Sequence, residues 1–314
     1  MEQQSMGTDF SNLKKFALRT VDIEQLELNI NHKIQASANA QTATVTIRRC
    51  NASDIPSVVE MMAAIGIPIT ADNVLPLINF GELWCCDNDG VIAGTGGWLP
   101  HGDNCVWVAM IMTHPQWRNL SIGSTLTRLV LERTANCPVR MLDASGMGEP
   151  IYRRLGFVEC GKVHLFEVPP DSFTEPRFSW RPMNTSDFPL PGTDEKDPAH
   201  RFIFDNHSDF CQVMEKSGHI AAWFLGRKKG NSVHIGQIYA ADDLTALDAL
   251  HAAQQMLDGQ KFTVAIFPVS EKIFTAVANA GATLINIHTR MYLAEQPIEP
   301  AKAGIQSSAG PDFG

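Results

Sequence analysis

Two stretches of this chain combine reactive residue types with spacings that can bring them together. The first runs Met112-Thr113-His114-Pro115-Gln116-Trp117-Arg118-Asn119-Leu120-Ser121-Ile122-Gly123-Ser124-Thr125-Leu126. An apolar segment, Val106 to Thr113, reads as a strand buried on both faces and ends there. A short loop follows, and a helix begins near Ser121 with Ile122, Leu126, Leu129 and Val130 as its apolar stripe. The first N–H groups of a helix lack partners and carry partial positive charge, so this junction is suited to an anion. Small residues at Ser121, Gly123 and Ser124 let a phosphate approach the backbone, and Arg118 adds a charge-assisted donor. An ordinary strand-to-helix turn with a capping serine has the same pattern, so this stretch alone does not decide.

The second stretch is Asp143-Ala144-Ser145-Gly146-Met147-Gly148-Glu149-Pro150-Ile151-Tyr152-Arg153-Arg154-Leu155-Gly156-Phe157, directly after a strand over Val139 to Ala144. Pro150 suits the first turn of a short helix and Gly156 its C-terminal stop. Tyr152 therefore sits on a helix, with Gly-Phe just beyond it. Arg153 and Arg154 read either as partners of a nucleotide phosphate or as a solvated face.

In this order and spacing, the two stretches resemble the GCN5-related N-acetyltransferase (GNAT) superfamily over residues 47 to about 168. Arg118-x-x-Ser121-x-Gly123 follows the family's Arg/Gln-x-x-Gly-x-Gly/Ala loop, with Ser121 in place of the first glycine. Ile47-Arg48 with Asp54 is similar to its opening strand and helix. The resemblance implies an α/β (α+β) fold: a mixed, mostly antiparallel twisted sheet flanked by helices and splayed at the cofactor strand. It implies acetyl-CoA as co-substrate and no metal. Ile111, Met112 and Thr113 would bond the pantetheine arm, and Arg118, Asn119, Leu120, Ser121, Ile122, Gly123 and Ser124 would hold the pyrophosphate. Tyr152 would be the general acid, and Ser145 would either bond near the arm or merely cap its helix. The implied reaction is direct transfer of acetyl to a primary amine of a small molecule or peptide. A non-catalytic acyl-CoA-binding sensor or a protein-interaction scaffold is the alternative. Ser121 is strained if its φ must be positive; if the loop stays helical, its hydroxyl reaches toward a phosphate. The general base stays open: His101, Asp103 and His114 are near in sequence, and a water chain would serve equally.

The elements that must position these residues occur twice. Ile47 to Pro56 returns as Trp180 to Pro189, with five of ten positions identical at an offset of 133. Gly90-Val91-Ile92-Ala93 returns as Gly218-His219-Ile220-Ala221, and Gly156 with the strand Val163 to Val168 returns as Gly281 with Ile287 to Leu293. A duplicated domain is expected: a polar, disordered extension over 1–44, an acetyltransferase domain over 45–168 and a linker over 169–179. A degenerate copy over 180–294 and a disordered tail over 295–314 would follow. In the second copy Asp242-Asp243 stands at the helix start, where it repels phosphate, and no Tyr precedes Gly281. The run Gly94-Thr95-Gly96-Gly97 lies inside a strand pattern and reads as close packing rather than a dinucleotide loop.

The 314 residues carry a formal charge of −9, which disfavours nucleic acid as the main partner. The longest apolar run, Val106 to Met112, is far short of the ~20 residues of a bilayer span, and no secretion signal opens the sequence. Seven cysteines without a CxxC pair disfavour a disulfide framework or a four-thiolate zinc site. A cytoplasmic protein of undetermined oligomeric state is expected, with no nucleic-acid or membrane partner.

Overall fold

Each half opens on the same polar knot. In the computed structural model, which describes residues 22–36, 44–67, 69–229, 232–267, 271–299, 304–310 and 312–313, the first strand is β1 (Thr46–Arg49). Its Arg48 donates to both carboxylate oxygens of Asp54, at 2.9 and 2.7 Å. Asn51 and Asp54 cap each other's backbone in a capping box, and helix α2 (Ile55–Ala64) leaves from that turn. In the second half β7 (Trp180–Pro182) carries Arg181, which bonds Asp187 at 2.9 and 2.7 Å, and Asn184 and Asp187 form the same box. The sequence echo is thus a repeated structural device.

After α2 the chain forms α3 (Ala71–Phe80), β2 (Glu82–Asn88), β3 (Val91–Pro100), β4 (Cys105–Thr113), α4 (Ile122–Arg133), β5 (Val139–Ala144), α5 (Glu149–Arg154) and β6 (Val158–Val168). After β7 come α6 (Pro198–His207), β8 (Gln212–Lys216), β9 (His219–Lys229), β10 (Ser232–Ala240), α7 (Asp243–Met256), β11 (Phe262–Ile266), α8 (Glu271–Asn279) and β12 (Thr283–Leu293). Each half runs as an antiparallel meander of four strands with a fifth, β5 or β11, parallel to the fourth.

The expected two separate sheets are instead one. Strand β12 of the second half lies between β5 and β6, and β6 of the first half lies between β12 and β11. Each half is closed by the other's last strand: Thr289 faces Ala144, and Phe166 faces Val264. The segment Val163 to Val168, expected to close the first unit, closes the second. The domain boundaries at 168 and 180 therefore do not separate two self-contained sheets. Residues 169–179 hold no helix or strand, and the Asp248 carboxylate of α7 accepts from the N–H groups of Arg177 and Phe178. The halves also share a core, in which Val58, Met62, Val74 and Leu77 of α2 and α3 meet Phe202 and Ile203 of α6.

Both ends depart from the expected disorder. Residues 1–21 and 37–43 of the extension lie outside the described residues, but α1 (Ile23–Ala36) is a packed helix. Ile30 and Ile34 are buried beside Ile122, Leu126 and Leu129 of α4. Their stripe is one residue wide, which is why the surrounding polar residues mask it in the sequence. Glu27 and Asn31 of α1 accept from the N–H groups of Ile47 and Val45, so the helix satisfies donors along the exposed edge of β1. In the tail, 300–303, 311 and 314 lie outside the described residues. Ser307–Ser308 forms a further strand, β13, on β11, and Ile305, Ala309 and Phe313 are buried.

The hydrogen bonds from Arg48 hold the Asp54 carboxyl below its ordinary value, and Arg181 does the same for Asp187. Asp54→Asn and Asp187→Asn are each expected to lower the unfolding free energy by about 1–2 kcal/mol. A depressed carboxyl contributes its full stabilisation above the unfolded-state value of about 3.9 and loses it only as the pH falls through the folded value. Urea unfolding should therefore give the same deficit at pH 7 and pH 5, and a smaller one below pH 4.

Candidate active site

Glycines on β3 allow α4 to lie directly on the sheet. A methyl at Gly94 would stand 2.6 Å from Ile122 Cγ2, and one at Gly96 3.0 Å from Leu126 Cβ. Close packing, as expected for Gly94-Thr95-Gly96-Gly97, is what this run does. It fixes the start of α4 beside the end of β4, where a methyl at Gly123 would meet Thr113 Oγ1 at 3.3 Å.

Strand β4 bends at a bulge. Ala109 and Met112 face Gly97 and Thr95, so β4 has one residue more than β3, and Met110 takes φ 57°. The Thr95 hydroxyl donates to the Met110 carbonyl at 2.7 Å and pins the bulge. On the other edge, β4 pairs with β5 at three positions only, ending at Trp107 and Met141. Beyond them the strands part. Among the described residues, no strand pairs the β5-side edge of Val108–Thr113 or the β4-side edge of Leu142–Ala144. Ile111, Met112 and Thr113 thus line an opening whose backbone groups await a partner.

At the mouth of this opening stands the helix start. Ser121 is the N-cap of α4 at φ 67° and ψ 12°, and its side chain makes no capping bond. Of the two readings of Ser121, the strained one is found, at a cost of about 1–2 kcal/mol. Asn119 is left-handed too, at φ 66°. Ile122, Gly123 and Ser124 form the first turn, Leu120 packs beneath it at the edge of an apolar cluster, and Arg118 and Asn119 are exposed. Lys33 of α1 donates to Ser121 Oγ. This cation at the loop was missed, because nothing in the sequence near Lys33 marks it as a neighbour of Ser121.

Tyr152 projects from α5 into an apolar cluster with Val108, Leu142, Ala144 and Phe157, with Ile111 at its margin. Its ring lies across Gly148, where a methyl would come within 2.9 Å of Cε2, and meets the edge of Phe157 at 5.8 Å. Tyr152 is 8 % exposed, and burial pushes its phenol well above 10. Among the described residues its hydroxyl has no hydrogen-bond partner, so its donor is uncommitted. Ser145 Oγ accepts from Gly148 N at 3.3 Å, in the turn that leads into α5. Arg153 is paired with Glu149 and Glu159 and so belongs to a solvated ion-pair face. Glu149 also accepts from Thr289 of β12 at 2.7 Å, tying α5 to the exchanged strand.

The candidate bases are scattered. His101 lies on Asp197 of the second half at 3.0 Å, Asp103 pairs with Lys196, and His114 Nδ1 accepts from Gln116 N at 3.3 Å. The structure does not bring the three together. Also unforeseen is a buried pair, Asp143 of β5 with Arg290 of β12, at 2.7 and 2.8 Å. The Arg290 guanidinium is stacked between Trp107 and Phe267, 4.7 and 4.4 Å from their centroids. The second half lacks the corresponding site. Asp242 caps α7 by accepting from Thr245 N at 2.8 Å, and four residues before Gly281 stands buried Val277.

Residues 79–159 match the family described as the acetyltransferase (GNAT) domain. Over these residues the chain is similar to a GNAT domain. Solved structures extend the likeness of fold to both halves. A candidate acetyltransferase from Pyrococcus horikoshii aligns at TM-score 0.69 and 16% identity, over 86% of this chain and 96% of its own. A GCN5-related N-acetyltransferase from Sphaerobacter thermophilus aligns at 0.57 and 14% identity, over 81% and 97%. A tandem GNAT protein from the clavulanic acid biosynthesis pathway aligns at 0.58 and 13% identity, over 81% of this chain and all of its own. No curated protein matches the sequence. The architecture is therefore a tandem GNAT fold, with the family match confined to the half that has the open cleft.

Ser121→Gly removes the left-handed cost, offset in part by about 0.4–1 kcal/mol of unfolded-state entropy. Its thermal midpoint should equal or exceed that of the parent. Ser121→Val, β-branched at the same φ, should be destabilised by more than about 1 kcal/mol.

Proposed function

We propose that this protein is an N-acetyltransferase that moves an acetyl group from acetyl-CoA to a primary amine of a small molecule or peptide by direct transfer. The observation that carries the proposal is the continuous path from the uncapped start of α4, along the unpaired edges of β4 and β5, to the uncommitted hydroxyl of Tyr152. Acetyl-CoA supplies an activated thioester. The N–H groups of Ile122, Gly123 and Ser124 suit its pyrophosphate, and Lys33 and Arg118 supply positive charge beside them. The exposed backbone of Ile111, Met112 and Thr113 suits the amides of its arm, in the manner of an added strand.

In the transfer, the amine nitrogen bonds the carbonyl carbon, the carbon–sulfur bond breaks to release the CoA thiolate, and the proton of the attacking nitrogen passes to water. A thiol has a pKa of about 8.5, far below that of the buried phenol. Tyr152 thus stabilises the departing thiolate by donating a hydrogen bond while keeping its own proton. Holding amine and thioester together supplies much of the remaining acceleration. Trp107, Ala109 and Met110 belong to the core that the two halves share, and Arg290 of the second half lies over the Trp107 ring, which supports a role for that half in walling the amine side. His288, on the same strand as Arg290, is a half-buried imidazole whose pKa burial lowers.

All seven cysteines are free thiols, the state that a reducing compartment maintains, which supports a cytoplasmic location. No helix among the described residues is long and apolar enough to cross a membrane, and no cluster of metal-binding side chains occurs among them. A sensor without turnover is favoured by one feature, the absence of a carboxylate on β4.

Calorimetric titration with acetyl-CoA should show saturable binding that Gly123→Glu abolishes and Lys33→Ala weakens about tenfold. With an accepted amine, Tyr152→Phe should lower kcat by about 100-fold while leaving acetyl-CoA affinity unchanged. Binding without release of free CoA for any amine class would favour the sensor, and no binding at millimolar acetyl-CoA would overturn both readings.

A further inference from the structure

The second half has a cleft of the same construction, and it is filled. Strand β10 pairs with β11 at three positions only, ending at Ile235 and Val264, and β10 bulges against β9 just beyond, as β4 does against β3. Into the gap comes the C-terminal segment. Ala240 N donates to Gly304 O at 2.9 Å, Gln306 N donates to Ile238 O at 2.8 Å, and Ile238 N donates to Ser307 Oγ at 2.9 Å. On the opposite wall Ser307 and Ser308 pair antiparallel with Ile266 and Ala265. The segment thus enters at the C-terminal end of β10 and runs towards its middle. An arm hung from the start of α4 would take the same course between β4 and β5.

We infer that the cleft between β10 and β11 is a binding site for an extended peptide strand, and that its resident ligand is the chain's own segment Gly304–Gly310, anchored beyond it by Asp312 and Phe313. The fit is close. A methyl at Gly236 would lie 2.1 Å from the Ser308 carbonyl oxygen, so the floor of the cleft accepts only glycine beneath the segment. His234 Nε2 lies 3.1 Å from that same carbonyl. Arg227, 2 % exposed, donates to the Ala309 carbonyl and to Asp312, and its guanidinium lies 4.6 Å from the Phe313 ring centroid. Asp312 also accepts from Asn73 of α3, which fastens the segment to the first half, and Ser308 Oγ accepts from Arg290 of β12. Its small residues, Ser307, Ser308, Ala309 and Gly310, suit a strand threaded between two others.

The second half is closed to a cofactor arm by occupation as well as by the acidic start of α7, so a chain takes one acyl-CoA. That statement alone rests on the proposed function; the seating of the segment does not. Hydrogen–deuterium exchange of the full chain tests the seating. Amides over 305–310 should exchange at least ~100-fold slower than in an unstructured peptide, together with those over 238–240 and 265–267. Gln306→Pro removes the N–H that bonds Ile238. It should return 305–310 to the unstructured rate and speed 238–240 and 265–267, leaving 82–113 protected. Gly236→Ala should have the same effect from the cleft side. Unstructured exchange over 305–310 in the parent would overturn the inference, as would unchanged protection of 238–240 and 265–267 in both variants. Titration with acetyl-CoA should then give one site per chain. Two sites would contradict the closed second cleft, whereas no binding would bear on the proposed function alone.

Discussion

A parallel pair of strands that separates after three residues leaves backbone donors and acceptors inside a sheet without partners, and such groups are costly when buried unpaired. This constraint recurs in both halves, at Trp107 with Met141 and at Ile235 with Val264. The bulges in β4 and β10 turn it into a cleft by bending the fourth strand away from the fifth. The two halves answer it differently. The second threads its own C-terminus through the gap, while the first keeps its edges open below a helix start that no side chain caps. The chemistry proposed for the first half rests on that difference.

The exchange of β6 and β12 makes the halves inseparable. β5 borders the open cleft on one edge and is held on the other by β12, a strand of the half with no site of its own. Three polar ties fasten that junction: Asp143 with Arg290, Glu149 with Thr289, and Lys162 with Thr289. Arg290 is stacked between Trp107 and Phe267, one ring from each half, and removing one partner of such a buried pair typically costs about 3–5 kcal/mol. The degenerate half thus supplies a structural strand to the floor of the site, which is reason enough for a copy without a phosphate loop to remain.

Local chemistry was readable in the sequence, and long-range choice was not. The Arg48–Asp54 and Arg181–Asp187 devices, the glycines of β3 beneath α4 and the capping role of Asp242 each depend on neighbours a few residues away or on one packing contact. Each was expected. The strand exchange was not legible, because β6 and β12 have similar patterns and either could lie beside β5. Helix α3 was hidden by Pro76 in its interior, and α1 by its narrow stripe. The tail reads as disorder because a strand threaded between two others needs the small residues that also characterise disordered chain. At the candidate site, the helix after the loop and the short helix that carries Tyr152 were legible through their order and spacing. Lys33, 88 residues from Ser121, could be found only once α1 had been placed on α4.

The most direct test of this account is the change in amide hydrogen exchange when saturating acetyl-CoA is added to the full chain. The cleft between β4 and β5 should respond and its filled counterpart should not: slower exchange over 108–113, 121–124 and 142–145, with 235–240 and 262–267 unchanged. Slowing confined to the second half, or spread evenly over both, would contradict the assignment of the open cleft as the seat of acyl transfer.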